Sequence, residues 1–275
     1  MRAKSLATFL GTGLVACALP SNAAVEPQID WNHARALLQA AVEGDFDTTA
    51  KSPSPCTLLP AEAGKWNYSV LAGDEQGKQS VTAYHPLTDE EHVGVWQILT
   101  GDNHLLSLTV SDDVAEITSV VDTSRNLLIE YIPPEPMIIA GMKPGQSVTK
   151  DIKVRVVSVS QPSQEKATGK MTLRLSYLGQ IRLASEAGNF NAHVFQSDIA
   201  SKVGPLDQKD TAFNFFAENT GIVARVTKMH LHAMIVYNKN KRDAYLLREK
   251  EDSGDSDAKS QAGNGCAFVA GATAP

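Results

Sequence analysis

The sequence predicts a mainly β protein: a single curved antiparallel sheet, or half-barrel, of about 11 strands with one N-terminal helix. Two observations predict this fold class. From Trp66 onward, apolar and polar residues alternate with the two-residue period of a strand. Turn-forming segments such as 73–77 and 101–103 separate these runs at intervals typical of a meander. The helical period occurs only near the N-terminus, where we expect a helix that covers one opening of the sheet.

Residues 1–23 are predicted to be a signal peptide. Arg2 and Lys4 form a positive start, and an apolar run from 6 to 19 follows. Cleavage after Ala23 would leave small residues at the two positions that require them. This leader predicts a periplasmic or secreted bacterial protein.

The same leader contains an alternative processing signal. Leu14-Val15-Ala16-Cys17 matches the lipobox at which bacterial lipoproteins are cut and acylated. Acylation at Cys17 would make the chain an outer-membrane lipoprotein, and only then would we expect membrane contact. The segment 18–20 continues the apolar run instead of starting a polar tether, which favours cleavage near Ala23.

Residues 24–60 are predicted to form the N-terminal helix and a linker. Asp30 is a suitable N-cap, and Gly44 a suitable terminator, for a helix over 30–43. The proline-rich segment 45–60 is predicted to be a loop. The apolar stripe of the helix comprises Ala34, Leu37, Leu38, Ala41 and Val42.

Residues 61–250 are predicted to form one antiparallel β domain. Pro133 to Pro136 interrupt the pattern, but strand spacing is similar on both sides, which favours one domain over two. The predicted strands are 66–70, 93–98, 105–110, 114–121, 127–132, 152–159, 169–178, 179–184, 193–199, 212–217, 222–237 and 244–247.

Residues 251–275 are predicted to be a disordered tail, first acidic and then rich in Gly and Ala. With Cys17 in the leader, Cys56 and Cys266 remain as an even pair in an oxidising compartment. We expect them to form a disulfide; the alternative is two unpaired thiols.

Four motifs in order resemble uncharacterised bacterial secreted β-rich proteins. These motifs are Tyr131-Ile132-Pro133-Pro134, Lys143-Pro144-Gly145-Gln146, the run from Glu186 to Ala192, and the run from Phe215 to Val223. In outline they are similar to the LolA and LolB half-barrel carriers, which hold acyl chains against a concave sheet. The resemblance covers about 129–226 and implies a curved sheet, with no catalytic residue carried over.

Aromatic residues on the predicted strands could line an apolar pocket on the concave face. The alternative is an ordinary packed core. The candidate ligand-binding residues are Trp66, Tyr68, Trp96, Phe190, Phe213 and Phe215, with Phe195 and Tyr237 as further strand aromatics.

His230 and His232 alternate on one face of a predicted strand, and Met234 follows on that face. Two imidazoles and a thioether are ligands that suit copper. The alternative is a half-exposed strand whose core face carries Met229 and Leu231.

Composition and motifs narrow the function. With a formal net charge of −6 and scattered Lys and Arg, the chain is a poor candidate for nucleic-acid binding, which requires a basic patch. No catalytic or cofactor motif occurs, and Asp210 and Glu218 are interpreted as turn and strand-end charges. We therefore expect a non-enzymatic envelope protein, without a cofactor, that binds or carries an apolar, lipid-like ligand in the periplasm. The alternative is an envelope assembly or surface-interaction factor with a solid core and a protein partner.

Overall fold

A computed structural model describes residues 29–60, 62–87, 94–101, 103–233 and 237–252. The predicted signal peptide, Cys17, Cys266 and Met234 lie outside these ranges, so the predictions made for them stay predictions. In the part of the chain that is described, no helix is long and apolar enough to cross a membrane.

The elements follow one another as two short helices and a series of antiparallel strands. They are α1 (Trp31–Leu38), a 3-10 turn (Gln39–Ala41), β1 (Val42–Asp47), α2 (Pro55–Leu58), β2 (Gly64–Ala72), β3 (Gln79–Pro86), β4 (Val95–Thr100), β5 (His104–Val110), β6 (Val114–Asp122), β7 (Leu127–Ile139), β8 (Ser147–Ser158), β9 (Gln161–Ser185), β10 (Gly188–Val203), β11 (Leu206–Ala217), β12 (Gly221–Ala233) and β13 (Tyr237–Asp252).

The described strands form one 13-stranded sheet that closes on itself. Its order is β1-β9-β10-β11-β12-β13-β2-β3-β4-β5-β6-β7-β8, and β8 also pairs with β9. Strands β2 to β13 therefore make a closed barrel, and β1 is an extra strand beside β9. The predicted class, mainly β and antiparallel, is confirmed. The half-barrel of about 11 strands is wrong, because the β8–β9 and β13–β2 pairings leave no open edge between them.

The N-terminal helix is shorter than predicted. Asp30 is the N-cap, as expected, and its side chain accepts a hydrogen bond of 2.8 Å from the backbone N–H of His33. The helix ends at Leu38, however, since Gln39 has a φ of 54°. Val42 then pairs with Leu183, so the end of the predicted helix is strand.

β1 and the residues after it complete the wall next to β9. β8 begins at Ser147 opposite Ser176, so it leaves the last part of β9 without that neighbour, and β1 pairs there instead. Ser52 then joins the chain to the end of β7. Its N–H and C=O bond to Met142 and Gly141, and its hydroxyl bonds to Ile139 and Met142 at 2.7 Å each.

The prolines at Pro133 and Pro134 do not interrupt β7, contrary to the prediction. Pairing with β6 jumps from Glu130 to Glu135, and pairing with β8 stops at Ile132. Neither neighbour needs a backbone donor from the prolines, which is the condition under which a strand tolerates them.

Two predicted strand boundaries are also wrong. The strands predicted over 169–178 and 179–184 are one strand, β9, because the break at Gly179 is a register shift opposite Val194 and Phe195. The strand predicted over 222–237 is divided: β12 ends at Ala233, and Tyr237 begins β13. β1 and β3 are not predicted, and β13 extends to Asp252, into the predicted tail.

α1 packs on the outside of the wall and does not cover an opening. The Trp31 ring lies 5.9 Å from Phe213 and 6.0 Å from Phe215. These two side chains alternate with Asn214, which faces the barrel interior. The expected amphipathic stripe is therefore used against the outer face of the sheet, where Ala34 and Leu38 are buried.

Candidate functional site

One end of the barrel interior is filled by aromatic side chains, which we call the aromatic plug. It comprises Trp66, Tyr84, Tyr177, Phe195 and Phe216, all at most 2% exposed. Ring centroids lie 4.8 Å apart for Trp66 and Tyr84, and 5.1 Å apart for Tyr177 and Phe195. Distances of this size are those of packed aromatic pairs. This end of the barrel is solid.

The rest of the interior contains a cavity of about 370 Å³. Every barrel strand except β8 contributes to its lining, so the cavity is the lumen of the barrel. The apolar part of its wall includes Ile98, Leu106, Ile117, Met137, Leu175, Ile199 and Met229. Five ionisable residues also line this lumen: Glu135, Asp210, Arg225, Lys241 and Asp243.

Arg225 projects into the lumen from the middle of β12. It lies between Asn214 of β11 and Tyr245 of β13, both of which line the cavity. Its Nε is buried and has no hydrogen-bond partner, and the guanidinium forms no salt bridge with the described residues. A guanidinium whose Nε is buried without a partner is unfavourable, and the rest of this half-buried cation faces the cavity, so Arg225 is available to a ligand.

Asp210 lies on β11 with one carboxylate oxygen in use. Its Oδ2 accepts a hydrogen bond from Gln208, whereas its Oδ1 is buried without a partner. Burial raises the pKa of Asp210, and the Gln208 hydrogen bond and the charge of Arg225 oppose that rise.

Glu135 faces the same group of charges from β7. Burial raises its pKa to about 7, with Arg225 lowering the pKa and Asp210 raising it. The charge of Arg225 therefore lowers the pKa of both acids without pairing directly with either of them. We call these three residues the lumen charge cluster.

The neighbouring polar groups are satisfied. Lys241 and Asp243 form a salt bridge of 3.0 Å on β13. The Tyr68 hydroxyl donates a hydrogen bond of 2.7 Å to the carbonyl of Ile222, and the Tyr84 hydroxyl accepts one of 3.4 Å from its N–H. Burial raises the pKa of both tyrosines. Among the described residues, three buried side-chain polar atoms lack a hydrogen-bond partner: Arg225 Nε and Asp210 Oδ1 lie in the lumen charge cluster, and Trp66 Nε1 lies in the aromatic plug.

The candidate ligand-binding residues fall in different places. Tyr68 lines the cavity. Trp66 and Trp96 are buried on the interior face of the filled end. Phe213 and Phe215 lie on the outer face against Trp31, and Phe190 is half-buried, so these three do not line the cavity. The alternation of residues along a strand indicates that the strand has two faces. It does not indicate which of them points into the lumen of the barrel.

Among the described residues, no further ligand lies with the candidate metal ligands His230 and His232. The His230 ring Nδ1 forms a hydrogen bond of 2.7 Å with Asn240, and His232 is exposed. Within the described ranges no group of three His, Cys, Asp or Glu side chains could hold a metal ion. Met229 lines the lumen, so the histidines lie on the opposite face of β12. A copper site that includes Met234 stays a prediction.

Sequence reasoning missed Arg225 and Glu135, and it interpreted Asp210 as a strand-end charge although Asp210 lies within β11. One signal was present: Arg225, Thr227 and Met229 share one face of β12, whereas the other face carries Ala224 and Val226. A strand face with polar residues can point into a lumen or into solvent. The sequence pattern alone does not show which of the two applies to β12.

No protein-family model and no curated protein matches this chain. Solved structures do match. A candidate exported protein with a YmcC-like fold from Bacteroides fragilis is 11% identical with a TM-score of 0.44, over 73% of this chain and 100% of its own. A candidate lipoprotein from Parabacteroides distasonis is 10% identical with a TM-score of 0.36, over 74% of this chain and 100% of its own. The hypothetical lipoprotein YmcC from Escherichia coli is 12% identical with a TM-score of 0.36, over 70% of this chain and 89% of its own. The resemblance to LolA and LolB stays a prediction from the motifs.

Proposed function

We propose that this protein is an exported, non-enzymatic binding protein that holds a small lipid-like molecule in the lumen of its barrel. The observation that carries the proposal is the cavity of about 370 Å³, lined by residues of every barrel strand except β8 and by both aliphatic and charged side chains. Cavities of this kind, mostly apolar with a few polar groups, are typical of small-molecule sites.

The contrast within the barrel supports a binding cavity over a solid core. At one end the chain fills the interior with large rings, so the fold is able to pack its interior completely. The filled end leaves one neutral indole N–H, Trp66 Nε1, without a partner, whereas the lumen charge cluster leaves two atoms of ionisable groups, Arg225 Nε and Asp210 Oδ1, buried without partners. Buried polar atoms of this kind are unfavourable unless a ligand or ordered water meets them. A ligand with an apolar body and a polar end would satisfy both parts of the wall.

The proposed location is the periplasm or the medium, and the support is the leader-like segment 1–23. Intact-mass analysis of protein expressed in a Gram-negative host tests this. We expect an N-terminus at Ala24; an acylated Cys17 would instead make the protein a lipoprotein, and an intact Met1 would contradict export.

The binding proposal is tested by uptake of an apolar fluorescent dye, together with native mass spectrometry of the purified protein. We expect saturable dye binding and a co-purified small molecule. Met229→Trp fills the lumen and should abolish both, since Met229 lines the cavity. Val81→Trp is the matched control, because Val81 is 41% exposed and alternates with the lumen-facing Ser80 and Thr82.

The two variants also separate the proposal from its main alternative. An assembly factor with a solid core would bind no dye in either variant and would be captured with a protein partner by cross-linking in cells. Equal dye binding by Met229→Trp and Val81→Trp would place the dye outside the lumen and contradict the proposal.

A further inference from the structure

We infer that the ligand carries a zwitterionic head group, whose anionic part binds Arg225 and whose cationic part lies against Asp210 and Glu135. This inference rests on the proposed function and specifies the ligand of the same lumen. It follows from three observations on the lumen charge cluster: the unpaired cation, the unpaired acids, and the lack of a salt bridge between them although the neighbouring Lys241 and Asp243 form one.

The cation comes first. Arg225 lies in the middle of β12 with a buried Nε that has no partner, and it makes no salt bridge with the described residues. A guanidinium presents a planar set of donors that matches a carboxylate or a phosphate. An anionic group beside the Arg225 guanidinium would therefore take the place of the hydration water that the guanidinium loses in the lumen.

The acids require the opposite charge. Asp210 Oδ1 is buried without a partner, and the described residues donate no hydrogen bond to the Glu135 carboxyl. Both groups have raised pKa values because of burial, which means that their charged forms are poorly solvated where they stand. An ammonium group placed between them would favour the ionised form of both.

The neighbouring pair shows why the cluster needs a ligand. Lys241 and Asp243 also line the lumen, but they lie 3.0 Å apart and neutralise each other. No such contact joins Arg225 to Asp210 or Glu135, although Arg225 lowers the pKa of both acids and Asp210 raises the pKa of Glu135. The cluster thus keeps one positive and two negative groups apart within the same cavity.

A head group of a single sign fits this arrangement less well. A purely anionic group at Arg225 is repelled by the two acids, and a purely cationic group at the acids is repelled by Arg225. A neutral hydroxyl can bond to either side, but hydrogen bonds between ionised partners are roughly twice as strong. A head group with both charges meets the cluster on both sides, while its chain contacts Leu106, Ile117 and Met137.

A series of probes with one 12-carbon chain and four head groups tests the inference by displacement of the bound dye, below the micelle concentration. The probes are dodecylphosphocholine, laurate, dodecyltrimethylammonium and monolaurin. We expect dodecylphosphocholine to bind at least about tenfold more tightly than the other three, which corresponds to about 1.4 kcal/mol. Equal affinities, or a preference for one of the other three, would overturn the inference and leave the proposed function intact. If no probe displaces dye and no dye binds, the proposed function fails as well.

Variants of the cluster give the second readout. Arg225→Gln should remove the preference over dodecyltrimethylammonium, and Arg225→Lys should restore part of it. Asp210→Asn should reduce the preference over laurate. Arg242→Gln is the matched control, because Arg242 is exposed on β13 and alternates with the lumen-facing Lys241 and Asp243. Circular dichroism confirms folding in each case, and a preference that no cluster variant changes would contradict the assignment.

Discussion

The two halves of the barrel interior are built from the same strands but differ in packing: one is filled by side chains, and the other contains the cavity. On β5, Leu108 is fully buried beside Trp96 at the filled end, whereas Leu106, two residues away on the same face, lines the cavity. The register shift between β11 and β12 lies at Phe216 of β11, an aromatic plug residue. Beyond it, β12 lines the cavity with Arg225, Thr227 and Met229. One strand thus contributes to a closed core at one end and to a polar lumen at the other.

This difference separates the source of stability from the proposed site of function. The filled end removes large apolar surfaces from water, and its two tyrosine hydroxyls have partners: Tyr84 accepts from the Ile222 N–H, and Tyr177 hydrogen-bonds the His193 ring. The lumen leaves polar atoms unpaired, which lowers stability but prepares contacts for a ligand. A single chain can combine a stabilising core with a binding cavity because the strand register fixes the positions of the two regions relative to each other.

Matched leucine truncations on β5 should give the largest contrast. Leu108→Ala removes side-chain packing at a fully buried position, and we expect a loss of about 2–5 kcal/mol in the free energy of unfolding. Leu106→Ala enlarges an existing cavity at a half-buried position and should lose less than about 1.5 kcal/mol. Denaturant unfolding of both variants measures the difference. Equal losses would show that the lumen is packed as tightly as the plug.

Local sequence signals predict the filled end better than the lumen. Trp66, Tyr68 and Val70 alternate with polar residues, and all three are buried on β2. The N-cap at Asp30 is equally local and was predicted from its own side chain. Such features depend on the period of the chain and on contacts within a few residues, which is why a single sequence indicates them.

Closure and the lumen charge cluster depend on distant pairings. β13 pairs with β2, far away along the chain, and this pairing turns a curved sheet into a barrel. Tyr245 lies beside Arg225 through the pairing of the consecutive strands β12 and β13, but only closure of the barrel places Glu135 of β7 in the same cavity. No local pattern around Arg225 indicates that a carboxyl from β7 will influence its surroundings, so the cluster could not be predicted from the sequence.

Ser52 offers a second comparison, because it stabilises the wall beyond β8 through polar contacts. Ser52→Ala removes the two hydroxyl hydrogen bonds to Ile139 and Met142 at a site that is only 4% exposed. We expect a loss of about 2 kcal/mol, since buried groups lose their partners. Unfolding by denaturant measures it, with Ser163→Ala, an exposed position on β9, as the control. An unchanged stability would mean that the backbone bonds of Ser52 alone hold this junction.

Glu135 should give the smallest effect and the one most specific to the lumen. Its pKa of about 7 in the folded protein lies above the ordinary 4.5, so the folded state binds the proton more tightly than the unfolded state. Stability from this group is therefore present in full below about pH 4.5 and falls as the pH rises to about 7. Glu135→Gln removes the buried charge and should raise the free energy of unfolding by about 1–2 kcal/mol at pH 8, after allowance for its half-buried position, and by little at pH 4.

The groups that face Glu135 set how this result is interpreted. Arg225 favours its charged form, whereas Asp210 opposes it, and Tyr131 on the same strand responds to its charge. Unfolding curves of the variant and of the exposed control Glu43→Gln at both pH values measure the effect. A pH-independent gain would place the Glu135 carboxyl in a solvated part of the barrel. A loss at pH 8 would show that its charge is already matched by Arg225, and the case for a cationic group of the ligand at this acid would weaken accordingly.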